Sequence, residues 1–103
     1  MFYVYVLKSI NNGDVYIGYS DDLKRRLKQH NLGQSKATQQ NIPWILIYYE
    51  GYIDKRDATK RERQLKNHKA KIDLKGQLRY SLNYANRGPA EQDLASRGAL
   101  AKR

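Results

Sequence analysis

The sequence predicts a small α+β chain whose elements run in the order ββαβαα. Three observations carry that expectation. Two runs of aromatic and β-branched residues flank an Asn11-Asn12-Gly13-Asp14 turn, so they read as a hairpin. A third apolar run follows near the middle of the chain. The stretches between and after carry leucines three or four residues apart behind acidic or polar caps. No internal repeat and no regular βαβ alternation is visible, which argues against a parallel, doubly wound sheet.

The first strand is expected over residues 2–7, Phe-Tyr-Val-Tyr-Val-Leu, and the second over 15–19, Val-Tyr-Ile-Gly-Tyr. Ser20, Asp21 and Asp22 can each cap a helix running to about residue 31, with Leu23 and Leu27 on one side and Gly33 as its stop. Residues 32–43 read as a polar, ordered or semi-ordered loop. Residues 44–49 form the third strand, apolar enough to be placed centrally in a small sheet. Asp54 or Asp57 starts a second helix reaching about residue 68, and Leu74, Leu78 and Leu82 mark a third, weakened by Gly76. Residues 1–85 are therefore expected as the folded unit. Gly88-Pro89 breaks the period, and 86–103 are expected as a flexible C-terminal tail.

Charge narrows the function. The 103 residues hold 20 Lys and Arg against 10 Asp and Glu, a net charge of +10. The last eighteen contribute only +2, so the folded part is itself basic. Such a field attracts polyanions, and the expected partner is nucleic acid. The longest apolar run, residues 45–49, is far short of the ~20 residues of a membrane span, and no signal-peptide pattern opens the chain. No membrane partner is expected, and the expected location is the cytoplasm. With no cysteine there is no disulfide, thiolate nucleophile or cysteine-bound metal.

Several residues stand out against this background. Arg26 and His30 are four apart and share a helix face, with Arg26 beside the leucine stripe. Arg26 is either a solvated charge in a Lys-Arg-Arg run or a group directed into a cleft. Glu62 lies four after Ala58 and three before Leu65, where the second helix should face the core. A carboxylate there must be paired, with Arg61, Arg63, Lys66 or Arg26, or bound to a metal such as magnesium. Alternation places Tyr16 and Gly18 on one face of the second strand, and a strand glycine lets another group approach the backbone.

Together these residues resemble the GIY-YIG nuclease superfamily. Tyr3-Val4-Tyr5 stands in place of the first signature, Gly-Ile-Tyr, and Tyr16-Ile17-Gly18 is an intact second signature. Arg26 falls eight residues after Gly18 and His30 four later; Pro43-Trp44 and Arg61-Glu62 with Leu65-Lys66 continue the pattern. The resemblance covers about residues 2–82, close to that of the small single-domain bacterial members. The family's late asparagine has no firm counterpart, Asn83 being the candidate.

The resemblance implies a small three-stranded antiparallel sheet flanked by helices and a metal-dependent endonuclease that hydrolyses phosphodiester bonds in DNA, branched or damaged DNA of repair and recombination included. Tyr5, Tyr16, Arg26 and His30 are implied as catalytic. Tyr16 contacts or deprotonates the attacking water, Tyr5 positions water or phosphate, Arg26 forks the phosphate and His30 supports them. Glu62 is implied as the protein ligand of a single Mg²⁺ or Mn²⁺ ion. Gly18 would keep the strand surface clear for substrate, and Lys24, Arg25 and Lys28 would hold backbone phosphates. The competing expectation is a catalytically idle nucleic-acid-binding module on the same fold.

Overall fold

The computed structural model describes residues 1–84, arranged as β1 (Phe2–Ser9), β2 (Val15–Ser20), α1 (Leu23–Asn31), a single 3₁₀ turn (Gln39–Asn41), β3 (Trp44–Tyr52), α2 (Lys55–Leu65), α3 (His68–Gln77) and α4 (Arg79–Tyr84). The expected tail, residues 86–103, lies outside the described residues, so the boundary after residue 85 stays an expectation. Among the described residues no helix is long and apolar enough to cross a membrane.

All strands pair antiparallel, in the order β2-β1-β3. The expectation of a central β3 is therefore corrected: β1 is central. Its residues from Val4 to Ser9 are all buried, whereas β3 is mostly half-buried and ends with Tyr49 and Gly51 exposed. An unbroken buried run is the mark of a strand covered on both faces, and β1 has it. The hairpin turn is fixed by Gly13, whose φ of +81° favours glycine, and by Ser9, whose hydroxyl accepts from the amides of Asn11 and Asn12.

Two separate cores lie on the two sides of β1. Tyr5 and Leu7 point with Trp44 toward α1, against Leu23 and Leu27. Val4 and Val6 point the other way with Ile17, against Ala58, Leu65 and Leu74 of α2 and α3. Complete burial of a side chain such as Leu65 contributes about 1.5–3 kcal/mol. A bulge between Val6 and Leu7 breaks the β1–β3 register: Val6 pairs with Tyr48 but Leu7 with Leu46, leaving Ile47 over.

The helices begin where their caps allow. Asp22 accepts the Arg25 amide at 3.1 Å, and Asp54 accepts that of Arg56 at 2.8 Å. The second helix stops at Leu65, earlier than expected, because Asn67 caps a new helix through the amides of Lys69 and Ala70. The leucine period of 74, 78 and 82 spans two helices where one was expected, giving ββαβααα. Leu78 leaves helical geometry at φ −100°, ψ 17°, yet the bonds from Leu78 to Leu74 and from Leu82 to Leu78 keep the four-residue spacing. Spacing alone could not show that break.

Candidate active site

The site is built around β1 and β2 on the α1 side. Antiparallel pairing sets Tyr5 opposite Gly18 and Leu7 opposite Tyr16, so Tyr5, Gly18 and Tyr16 share one face. A Cβ at Gly18 would lie 2.4 Å from both Cζ and Oη of Tyr5 and 3.0 Å from Cε2 of Tyr16. The surface that the sequence reading assigned to substrate is thus taken by the Tyr5 phenol, which lies across the glycine. Gly18 serves the site by making room for Tyr5.

Behind Tyr5 is a buried polar chain. The Tyr5 hydroxyl is 2.8 Å from Nε2 of His30, whose ring is fully buried, and His30 Nδ1 is 2.7 Å from the Thr38 hydroxyl. The Thr38 hydroxyl reaches the Ser35 carbonyl at 3.5 Å, and the Trp44 indole donates to the Thr38 carbonyl at 2.9 Å. Directions follow from the inventory of protons. Thr38 donates to Ser35, so its oxygen accepts from His30 Nδ1–H; the neutral ring then offers Nε2 as an acceptor to the Tyr5 O–H. Burial, seconded by the positive charge of Arg26, brings His30 down to about 4, which keeps the ring neutral near pH 7. Burial pushes the Tyr5 phenol up to about 12, and the Arg26 guanidinium beside it pulls the other way without restoring it. Tyr5 is a proton donor held in place, not a base.

Thr38 is the residue sequence reasoning missed. It sits in the polar 32–43 loop, where nothing in a single sequence separates it from Ser35 or Thr residues that face water. Its burial follows from how that loop is pinned. Asn31 donates to the Trp44 carbonyl at 2.9 Å and accepts the Trp44 amide at 2.7 Å, so the chain leaves α1 and enters β3 at one point. The loop between is closed over His30.

Tyr16 is half-buried, its ring centroid 5.2 Å from His30, 6.3 Å from Trp44 and 6.4 Å from Tyr5. Its hydroxyl has no hydrogen-bond partner among the described residues, unlike that of Tyr5. Arg26 is half-buried on α1, steadied by Gln29 at 3.1 Å. Its charge bears on both Tyr5 and His30. Lys24, Arg25 and Lys28 are exposed on the same helix, and Arg25 is partly neutralised by Asp21 at 3.1 Å.

Glu62 approaches from α2, on the other side of the sheet, at the β2 edge. Its carboxylate pairs with Lys66 at 3.4 Å, and the same ammonium lies 5.9 Å from the Tyr16 ring centroid. The carboxylate also bears on Tyr5. Among the partners considered from sequence, Arg61 is not the one: its guanidinium grips Glu50 at 2.8 and 3.0 Å. Tyr48 and Tyr52 also donate to Glu50, so the first three groups around that carboxylate are spoken for. Burial raises the Glu50 carboxyl, but Arg61 and the two phenols outweigh it and hold it at about 2. This fork fixes the rotation of α2 and so the side on which Glu62 emerges.

Among the described residues no group of three or more His, Cys, Asp or Glu is placed to hold a metal ion. Glu62 alone, with its side chain 23% exposed and one ion-pair partner, suits a hard divalent ion that keeps most of its water. Asn83 is exposed on α4, a helix that packs on β3, the edge away from β2. It does not join this cluster.

A sheet edge that gathers two tyrosines, an arginine, a buried histidine and a lone carboxylate has the makings of a nuclease domain, and residues 1–76 match the family described as the GIY-YIG catalytic domain. The chain belongs to the GIY-YIG family, a nuclease family. It is 43% identical over 68 residues to a UPF0213 protein of Streptococcus pneumoniae serotype 4, covering 65% of this chain and 68% of that one. A UPF0213 protein of Staphylococcus epidermidis is 38% identical over 74 residues, covering 71% and 89%. The solution NMR structure of a UPF0213 protein from Bacillus halodurans is 32% identical, with a TM-score of 0.46 over 72% of this chain and 82% of that one.

Proposed function

We propose that this protein is a metal-dependent endonuclease acting on DNA, with Tyr16, Tyr5, Arg26, His30 and Glu62 as its working residues. The observation that carries the reading is the contrast between the two tyrosines. Tyr5 has its hydroxyl committed to His30, while the hydroxyl of Tyr16, whose ring centroid is 6.4 Å from that of Tyr5, has no hydrogen-bond partner among the described residues.

Hydrolysis of a phosphodiester needs a placed water, an anchor for the phosphate oxygens and compensation for the charge that builds in the transition state. The Tyr16 hydroxyl is the group free to hold the attacking water and receive its hydrogen bond. Arg26 offers a planar fork to two phosphate oxygens, which lysine cannot match. Neutral His30 holds the Tyr5 proton and thereby leaves the Tyr5 oxygen lone pairs toward Arg26 and the phosphate. Glu62 would hold a Mg²⁺ or Mn²⁺ ion, which when bound supplies Lewis-acid stabilisation of phosphate charge. Lys24 and Lys28 supply contacts to the DNA backbone that carry no sequence information.

One observation favours the second reading, an idle nucleic-acid-binding module: Glu62 already has a cationic neighbour in Lys66. A nicking assay decides between them. Supercoiled, branched and single-stranded DNA are incubated with Mg²⁺ or Mn²⁺ beside the Glu62→Ala protein. Metal-dependent cutting lost in Glu62→Ala supports the nuclease; binding without cutting in the wild type supports the module.

A further inference from the structure

The outer surface of α2 has a feature that the catalytic cluster does not use. Ala58 and Leu65 face the sheet, and Glu62 stands beside that line on the β2 side with Lys66. Lys66, Arg63 and Lys60 are three residues apart. Each step back along the chain moves about 4.5 Å along the axis and about 60° around it. The three cations thus cross the outer face of α2 obliquely, from the flank of Glu62 to the opposite flank.

There the track enters a shallow concavity of about 570 Å³ between α2 and α3, lined by Lys60, Arg61, Arg63, Gln64, Asn67 and Ala70. No carboxylate lines it. Arg61 is engaged by Glu50, but Lys60 and Arg63 are exposed and have no acidic partner among the described residues. The exposed Arg25 and Arg56, by comparison, are both neutralised by neighbouring aspartates. Asn67 spends its oxygen on the first amides of α3, which leaves its Nδ2 donor outward. The positive end of the α3 dipole opens at the same point. The groove offers donors and positive charge and nothing that repels an anion.

We propose that this track and groove hold the phosphodiester backbone of the DNA that flanks the cut, leading it away from the Glu62 edge across α2. The proposal rests on the nuclease reading for what sits at that edge, but the surface itself is a binding site and is tested as one. The basic residues of α1 lie on the other side of the sheet and serve a different stretch of the substrate.

The experiment measures binding of labelled duplex DNA without divalent metal over a salt series. It compares the wild type, a Lys60→Glu/Arg63→Glu variant, and a Lys36→Glu/Arg79→Glu control with the same change in charge. Melting curves confirm that both variants fold. The groove variant should lose about tenfold or more in affinity, and its salt slope should fall by about 2, the number of phosphate contacts removed. The control should lose far less, and a short duplex that covers only the cut site should not distinguish the variants. Equal losses in the two variants, or a groove variant as sensitive on the short duplex as on the long one, would overturn the proposal. So would preferential groove-dependent binding of an RNA of the same length. A wild type that binds through the groove but never cuts leaves this surface standing and removes the nuclease reading instead.

Discussion

His30 Nδ1 and the Thr38 hydroxyl are 2.7 Å apart, both fully buried, and this pair decides which way the Tyr5 proton points. Valine has the shape of threonine without the hydroxyl. Thr38→Val therefore leaves the ring nitrogen with no acceptor, at a cost of about 1–3 kcal/mol for an unsatisfied buried donor. Thr38→Ser should restore most of that. Nitrogen-15 NMR of His30 reads the tautomer directly: protonated at Nδ1 in the wild type and in Thr38→Ser, mixed or reversed in Thr38→Val. A valine variant with the wild-type tautomer and wild-type melting would show that Thr38 is a spectator.

Gly18 is the second sensitive point. Alanine there places a methyl 2.4 Å from the Tyr5 ring and hydroxyl. The phenol must move, and with it the bond to His30. Overpacking of this kind costs about 1–3 kcal/mol. Urea melts should show the loss, and cleavage should fall further than stability accounts for, because Tyr5 is displaced from Arg26. A Gly18→Ala protein that cuts at the wild-type rate would mean that the phenol's position is not critical.

The third prediction concerns pH. His30 is lowered in the folded state from about 6.5 to about 4, so between those values the unfolded chain binds a proton that the folded one does not. Its contribution is complete above pH 6.5 and is lost as pH falls toward 4, up to about 3 kcal/mol. Thermal stability should thus decline between pH 7 and pH 5, and a His30→Gln variant, less stable overall, should show a flatter profile there. Glu50, held at about 2, acts at lower pH, so its contribution is lost only as pH falls from about 4.5 toward 2. A wild type with constant stability from pH 7 to pH 5 would contradict a buried neutral His30.

Most residues that the structure gathers in the candidate site stand out in the chain because they are odd residues in regular elements. Tyr16 and Gly18 announce themselves by strand alternation, Arg26 and His30 by a helical face, and Glu62 by a charge on a buried stripe. Thr38 could not be read, because a loop residue has no period to violate; only the closing of the chain between Asn31 and Trp44 buries it. Nor could the sheet order. β3 is as apolar as β1 over its first half, and α1 and α2 both reach it; what separates them is that β1 pairs on both edges while β3 pairs on one. The split of the last leucine stripe into two helices was hidden for a related reason, since the four-residue hydrogen bonds persist through Leu78.

The unpaired Ile47 gives β3 two allegiances. Trp44 and Leu46 have the same parity as Tyr48, Glu50 and Tyr52, and an unbroken strand would turn all five to one side. The single surplus residue lets the first pair look toward Thr38 and His30 while the other three look toward Arg61. Deleting it would let Leu46 and Tyr48 alternate as direct neighbours opposite Leu7 and Val6, so both halves would keep their sides and only the local bend would be lost. Substitutions of Ile47 by another apolar residue leave that arithmetic untouched. Position 47 should therefore tolerate a change of letter and also its own deletion, which costs the packing of Ile47 on the α2-side core but keeps both clamps on their sides.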